Sequence, residues 1–268
     1  MSLSEFDPLA VAEIRKRLES VKASGVRIGF AIESGSRAWG FPSPDSDYDC
    51  RFIYVRSRND YLSLFPPRDV IEFPIVGDVD AGGWDLRKAL LLALKGNAAL
   101  VEWVTSPIAY EEKPGFRDRL KLLLDEIMVP RKVALHYVGL LHRHVPSDGF
   151  AQSKLKKLLY SVRPAIALHW MRQRDFNLLP PMNMMECLDG CRLPDDQRQG
   201  ILDLVALKKM TREMGEGPVP APIAALLQDA VTTFGGLSKS FGLIETADDE
   251  AMKEKTDAFY IREIDRGI

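Results

Sequence analysis

The chain has 268 residues, 46% of them hydrophobic, and sets 36 basic against 38 acidic side chains for a net charge of -2. That apolar content is enough for a packed core, which argues against disorder, and the near-neutral balance gives no overall attraction to a membrane surface or to long nucleic acid. No apolar run approaches the ~20 residues that span a bilayer, and the early acids of the N-terminal stretch do not suit a secretory signal, so a cytoplasmic protein with no membrane partner is expected.

The elements follow in chain order. Asp7 as N-cap, Pro8 in the first turn and Gly25 as the stop frame a helix whose apolar face carries Leu9, Ile14, Leu18 and Val21. A strand over 27–33 runs into Ser34-Gly35-Ser36 and then a Gly/Pro-punctuated connection over 39–44. A second strand covers 47–55, a loop 59–67, and strands over 70–76 and 79–83 flank the turn Gly77-Asp78, so that consecutive strands can pair as hairpins. Asp85 is placed to cap a helix over 86–95 that Gly96 ends, and a short helix over 98–104 follows.

Beyond about residue 115 the pattern turns to helical periodicity over 116–128, 131–145, 153–174, 194–214, 220–234 and 247–262, and Pro164 should kink or split the third of these. The expected organisation is an α+β domain over 1–112 and an all-helical domain over 113–268. Cys50, Cys187 and Cys191 are too few for a disulfide framework, and the four-residue spacing of the last two lacks the partners of a zinc site.

Chemistry concentrates in two short stretches. In an extended strand, side chains two apart share a face about 6.6 Å apart, so Asp47 and Asp49 present their carboxylates together. Carboxylates are hard oxygen donors that suit magnesium, and a metal pair can stabilise both the attacking and the leaving oxygen of a phosphoryl or nucleotidyl transfer. Eleven residues earlier, Gly35-Ser36 offers a backbone that can approach a triphosphate and a hydroxyl that can donate to it. An Asp-x-Asp alone is weak, since solvated aspartates at a turn look the same; the combination is far more specific.

Gly35-Ser36-Arg37-Ala38-Trp39-Gly40 followed by Ser46-Asp47-Tyr48-Asp49 resembles the Gly-Ser and Asp-x-Asp signature of the DNA polymerase β-like nucleotidyltransferase superfamily. Within it the sequence is most similar to the RNA repair pathway polymerase-β-like nucleotidyltransferases, through the run 45–55, Gly83-Trp84-Asp85-Leu86-Arg87-Lys88, and Gly96-Asn97 leading to Glu102-Trp103. The resemblance continues weakly into Lys156-Lys157-Leu158-Leu159-Tyr160 and Arg163-Pro164.

It implies a mixed sheet with flanking helices and transfer of a nucleoside monophosphate from an NTP to an acceptor hydroxyl, with an RNA end suggested by the family's name. Two magnesium ions, with manganese as an alternative, are implied, together with a third carboxylate from a neighbouring strand. Asp80 is the first choice because it lies on the strand returning from Gly77-Asp78; Asp85 is the alternative, with Asp78 and Glu72 behind it.

Around this centre, Arg37 and Lys88 are candidates for phosphate charge, each with an ordinary solvated role as its alternative. Residues 131–175 hold nine basic side chains against two acidic ones, and Lys156, Tyr160 and Arg163 fall on one helical stripe. Facing the sheet across a cleft, that stripe would bind nucleotide or a nucleic-acid end; otherwise it is a solvated basic face. Two further readings stay open, nucleotidylation of a protein or small molecule and a non-catalytic nucleotide-binding module.

Overall fold

The structure, a computed structural model, describes residues 2–146, 153–210, 215–242 and 249–266, without the side chains of Leu155 and Lys156. In chain order the elements are α1 (Pro8–Ala23), β1 (Arg27–Glu33), α2 (Gly35–Trp39), β2 (Tyr48–Val55), α3 (Arg58–Leu62), β3 (Val70–Glu72), β4 (Val79–Asp85), α4 (Leu86–Leu94), α5 (Ala98–Thr105), β5 (Ala109–Glu112) and α6 (Phe116–Ile127). They continue as α7 (Pro130–His144), β6 (Ser153–Lys154), α8 (Leu155–Arg172), α9 (Met184–Asp189), α10 (Asp195–Met210), β7 (Glu216–Gly217), α11 (Ala221–Phe234), α12 (Leu237–Phe241) and α13 (Asp249–Asp265).

The chain divides into two compact units. The first holds Met1–Ala38, Asp47–Met128 and Glu245–Ile268; the second holds Trp39–Ser46 and Val129–Ile244. The expected boundary at 112/113 falls inside the first unit, between β5 and α6.

The first unit is built on a mixed five-stranded sheet in the order β3-β4-β2-β1-β5. β1 runs antiparallel to β2 and β5, and β3 antiparallel to β4, so the expected hairpin pairing holds for β1 with β2 and for β3 with β4. It does not hold for β2 and β3: β2 takes β4 as its neighbour instead, in parallel. The reason lies in burial. Phe52, Ile53, Tyr54 and Val55 are all buried, so β2 must be covered on both faces and flanked on both edges, and the long stretch through α3 and β3 supplies the crossover that a parallel partner needs.

Asp7 caps α1 by accepting from the Leu9 amide, and Ile14, Leu18 and Val21 of that helix pack with Tyr48, Cys50, Phe52 and Tyr54 of β2 and with Val79 and Ala81 of β4. The period of two then directs Asp49, Arg51 and Asp80 to the opposite face. α13 returns to this unit and packs against α4 and α6, where Arg119 donates to both carboxylate oxygens of buried Glu263 at 2.8 Å.

The second unit is mostly helical, with α8 packed against α7, α9, α10 and α11. The pairing of β6 with β7 is a departure from the all-helical expectation. Pro164 does not split α8, which runs as one helix over Leu155–Arg172. Its missing amide is offset by burial on either side, with Leu158, Leu159, Val162, Ile166 and Leu168 fully buried. Among the described residues no helix is long and apolar enough to cross a membrane.

Candidate active site

At the end of β1 the chain turns sharply inward. Gly35 has φ +60°, and a Cβ there would lie 1.9 Å from Asp49 Oδ2, so glycine alone lets the backbone come this close to that carboxylate. The Ser34 amide donates to the Asp49 carbonyl at 2.8 Å, tying the start of this turn to β2, and Ser36 follows in α2, buried.

The parallel register of β2 and β4 sets Asp49 directly opposite Asp80. Both side chains are partly exposed and share a cation, the Arg51 guanidinium, which donates from Nη2 to Asp49 Oδ1 at 3.2 Å and to Asp80 Oδ2 at 2.6 Å. Burial raises the Asp49 carboxyl above the usual carboxylate range; Arg51 opposes the shift, while Asp80 and Asp47 add to it. Asp47 precedes β2 and is exposed, and its backbone carbonyl accepts from Arg37 Nε at 3.2 Å.

The other sequence candidates occupy different places. Asp85 is buried and caps α4, accepting from the Arg87 amide at 2.8 Å and from the Tyr61 hydroxyl at 3.0 and 3.1 Å. It lies five residues along β4 from Asp80, roughly 16 Å away and with the opposite facing, so its carboxylate does not join the Asp49 pair. Asp78 lends its backbone carbonyl to the Tyr48 amide, and Glu72 pairs with Arg68. Lys88 pairs with Asp69 at 3.1 Å, at the Asp85 end of β4. The Arg37 guanidinium lies over the Tyr48 ring at 3.9 Å, where it braces the start of β2.

In the second unit Arg163 stacks on Trp39 at 4.0 Å and Tyr160 meets the same indole edge-on, so two members of the basic stripe engage the connection between the two halves of the signature. The Lys156 side chain lies outside the described residues. Lys208, fully buried, places its ammonium 4.7 Å from the Phe41 ring of the same connection.

Two neighbours of the acid pair are absent from the sequence reading. Arg51 is one; its position two residues after Asp49 is the signal that would have found it, since it shares the carboxylates' face. The other is Glu33, fully buried, whose Oε1 accepts from the Asp49 amide at 3.1 Å and whose Oε2 accepts from the Tyr110 hydroxyl at 2.5 Å. Burial pushes its carboxyl up to about 8. A lone acid closing an apolar strand just before Ser34-Gly35-Ser36 was its visible trace.

Among the described residues no three His, Cys, Asp or Glu side chains converge into a formed metal cage. The donor set still fits a hard cation, because Asp49 and Asp80 are oxygen donors that already hold one positive charge between them.

The model of the RNA repair pathway DNA polymerase beta family matches residues 11–262. The chain belongs to this family. This is the polymerase-β-like family that the signature residues implied. Among curated proteins it is 44% identical over 169 residues to the uncharacterized protein YcgL of Bacillus subtilis (strain 168), a match that covers 63% of this chain and 64% of that protein's length. A nucleotidyltransferase-like protein from Exiguobacterium sibiricum 255-15 aligns over 96% of this chain and 80% of its own with 12% identity, and its TM-score of 0.31 is too low to support an argument.

Proposed function

We propose that this family member is an enzyme that transfers a nucleoside monophosphate from an NTP to an acceptor hydroxyl, with an RNA end as the acceptor. The observation that carries the reading is the pairing of Asp49 with Asp80 across β2 and β4, beside the glycine that brings the backbone against Asp49. In this reading Asp49 and Asp80, with Asp47 at the mouth of β2, hold magnesium or manganese. Bound there, the divalent ions supply charge to the attacking and leaving oxygens. Gly35 and Ser36 hold the triphosphate through backbone amide and hydroxyl. Arg51 bridges the two carboxylates and balances their charge until a metal cation takes its place. The RNA acceptor rests on the family's description.

The test offers the purified protein each of the four α-labelled NTPs with Mg²⁺, and presents a total RNA pool and, separately, a protein lysate. Label is expected on RNA. Asp49→Asn and Asp80→Asn should each lower incorporation by at least about 100-fold, the loss of a few kcal/mol of transition-state stabilisation, while Asp85→Asn should act on stability instead. Unchanged incorporation in the first two variants would sink the proposal, and label on protein would redirect the acceptor.

A further inference from the structure

We infer that Glu33 and Tyr110 are positioning residues that hold the Asp49 backbone, and through it the Asp49 carboxylate, in the geometry the site needs; the inference rests on the proposed role of Asp49. In an antiparallel ladder facing residues alternate between pairs that exchange both backbone bonds and pairs that exchange none. β1 and β2 stay in register as far as Glu33 opposite Cys50, a pair in which the Glu33 backbone bonds to Ile108 and Ser106 instead, and one step further the chain leaves the sheet to bring Gly35 against Asp49. The carbonyl of Asp49 keeps a backbone partner in the Ser34 amide, whereas its amide is taken by a side chain, Glu33 Oε1 at 3.1 Å.

Glu33 is in turn fixed at every polar atom. Tyr110 of β5 donates to Oε2, the Ile108 carbonyl accepts from the Glu33 amide at 2.9 Å, and the Ser106 hydroxyl donates to its carbonyl at 2.6 Å. Arg117 holds Ser106 from behind through the serine carbonyl. A chain of contacts therefore runs from α6 through Ser106 and Glu33 to the backbone of the central acid.

A carboxyl group with no exposed surface is a costly way to accept one amide proton, and a purely structural strand end would be served by an apolar residue with its amide paired in the ladder. What this acid provides is a fixed strand end at the one place where the ladder must open for Gly35. Asp49 is confined on three sides, by Gly35 at its carboxylate, Arg51 at its other oxygen and Glu33 at its amide. Loosening the amide frees the whole residue to turn.

The experiment compares Glu33→Ala, Glu33→Gln and Tyr110→Phe with the wild-type chain. It reads Mn²⁺ binding by electron paramagnetic resonance, amide hydrogen exchange of the peptide carrying Asp49, and kcat and KM for NTP. Glu33→Ala and Tyr110→Phe should weaken Mn²⁺ binding by about 10-fold or more and lower kcat comparably with KM for NTP within about 2-fold, the usual consequence of removing the groups that orient a ligand. Exchange at Asp49 should accelerate in the same variants, and Glu33→Gln, which keeps an acceptor oxygen, should restore all three.

Tyr110→Phe keeps the strand and the ring, so the inference stays testable if Glu33→Ala does not fold. A folded Tyr110→Phe with wild-type Mn²⁺ affinity and wild-type exchange would overturn it, as would a Glu33→Gln protein as impaired as Glu33→Ala. Absence of NTP turnover in the wild type, with Mn²⁺ still bound, would count against the proposed reaction and leave the Mn²⁺ and exchange measurements to decide the positioning role.

Discussion

Gly35 shows how much of this site depends on one missing methyl group. With φ at +60° and Asp49 Oδ2 1.9 Å from where a Cβ would stand, Gly35→Ala has to displace the carboxylate or open the turn. Turnover and Mn²⁺ affinity should each fall by at least about 10-fold, while thermal melts should record a loss of only about 1–2 kcal/mol, since the strain is local. A variant with wild-type Mn²⁺ binding would mean that Asp49 does not need the close approach. At this scale Gly35, Ser36, Asp47 and Asp49 could be proposed from the sequence because they sit in two short stretches where glycine chemistry and closely spaced acids stand out. Glu33 was not, because its partners are an amide on β2 and a hydroxyl on β5, and neither contact exists until three strands are in register.

At the scale of elements, α8 is a helix that tolerates its own proline because its neighbours bury it. His169 lies near its end with its ring edge-on to Phe234 of α11, and Asp229 is 3.6 Å from Nε2. Burial holds this imidazole below its ordinary value, with Arg172 pushing the same way and Asp229 opposing. As pH falls through the ordinary value near 6.5, the unfolded chain therefore takes the proton first. Stability from this group is complete above that value and declines as pH falls toward the depressed one, at no more than about 1.4 kcal/mol per pH unit.

Urea midpoints measured at pH 7.5 and pH 5 should fall further for the wild type than for His169→Gln, and equal shifts would assign the acid sensitivity elsewhere. Helix positions of this kind were readable from periodicity and caps, down to Asp7 before α1 and Asp85 before α4. The parallel pairing of β2 with β4 was not, because strand propensity carries no information about which edge a strand will join.

At the scale of the whole chain, the first unit closes with the last helix. α13 is anchored by Glu263, nearly without exposed surface, between both donors of Arg119, and by Arg58 with Asp265 at 2.6 Å. Arg119→Ala would leave the buried carboxylate without its main partner. It should destabilise the protein by about 3 kcal/mol, tempered by the third of Arg119 that water reaches, and release α13 to proteolysis ahead of the remainder. A urea midpoint within error of the wild type would show that α13 is held by its apolar contacts alone.

A single cut at residue 112 could not anticipate this return, since a charged helix at the end of a helical run looks locally like its predecessors. What the sequence determined by itself was the chemistry available: a glycine and serine where the chain leaves a strand, two aspartates two residues apart, capped helices and an α+β class. The tertiary structure decided which acid stands with them. Asp80 and Asp85 lie on the same strand, and only the parallel register with β2 sets one beside Asp49 and sends the other to cap α4. Register is settled by burying Phe52 to Val55 on both faces at once, a balance over the whole sheet that no local window contains.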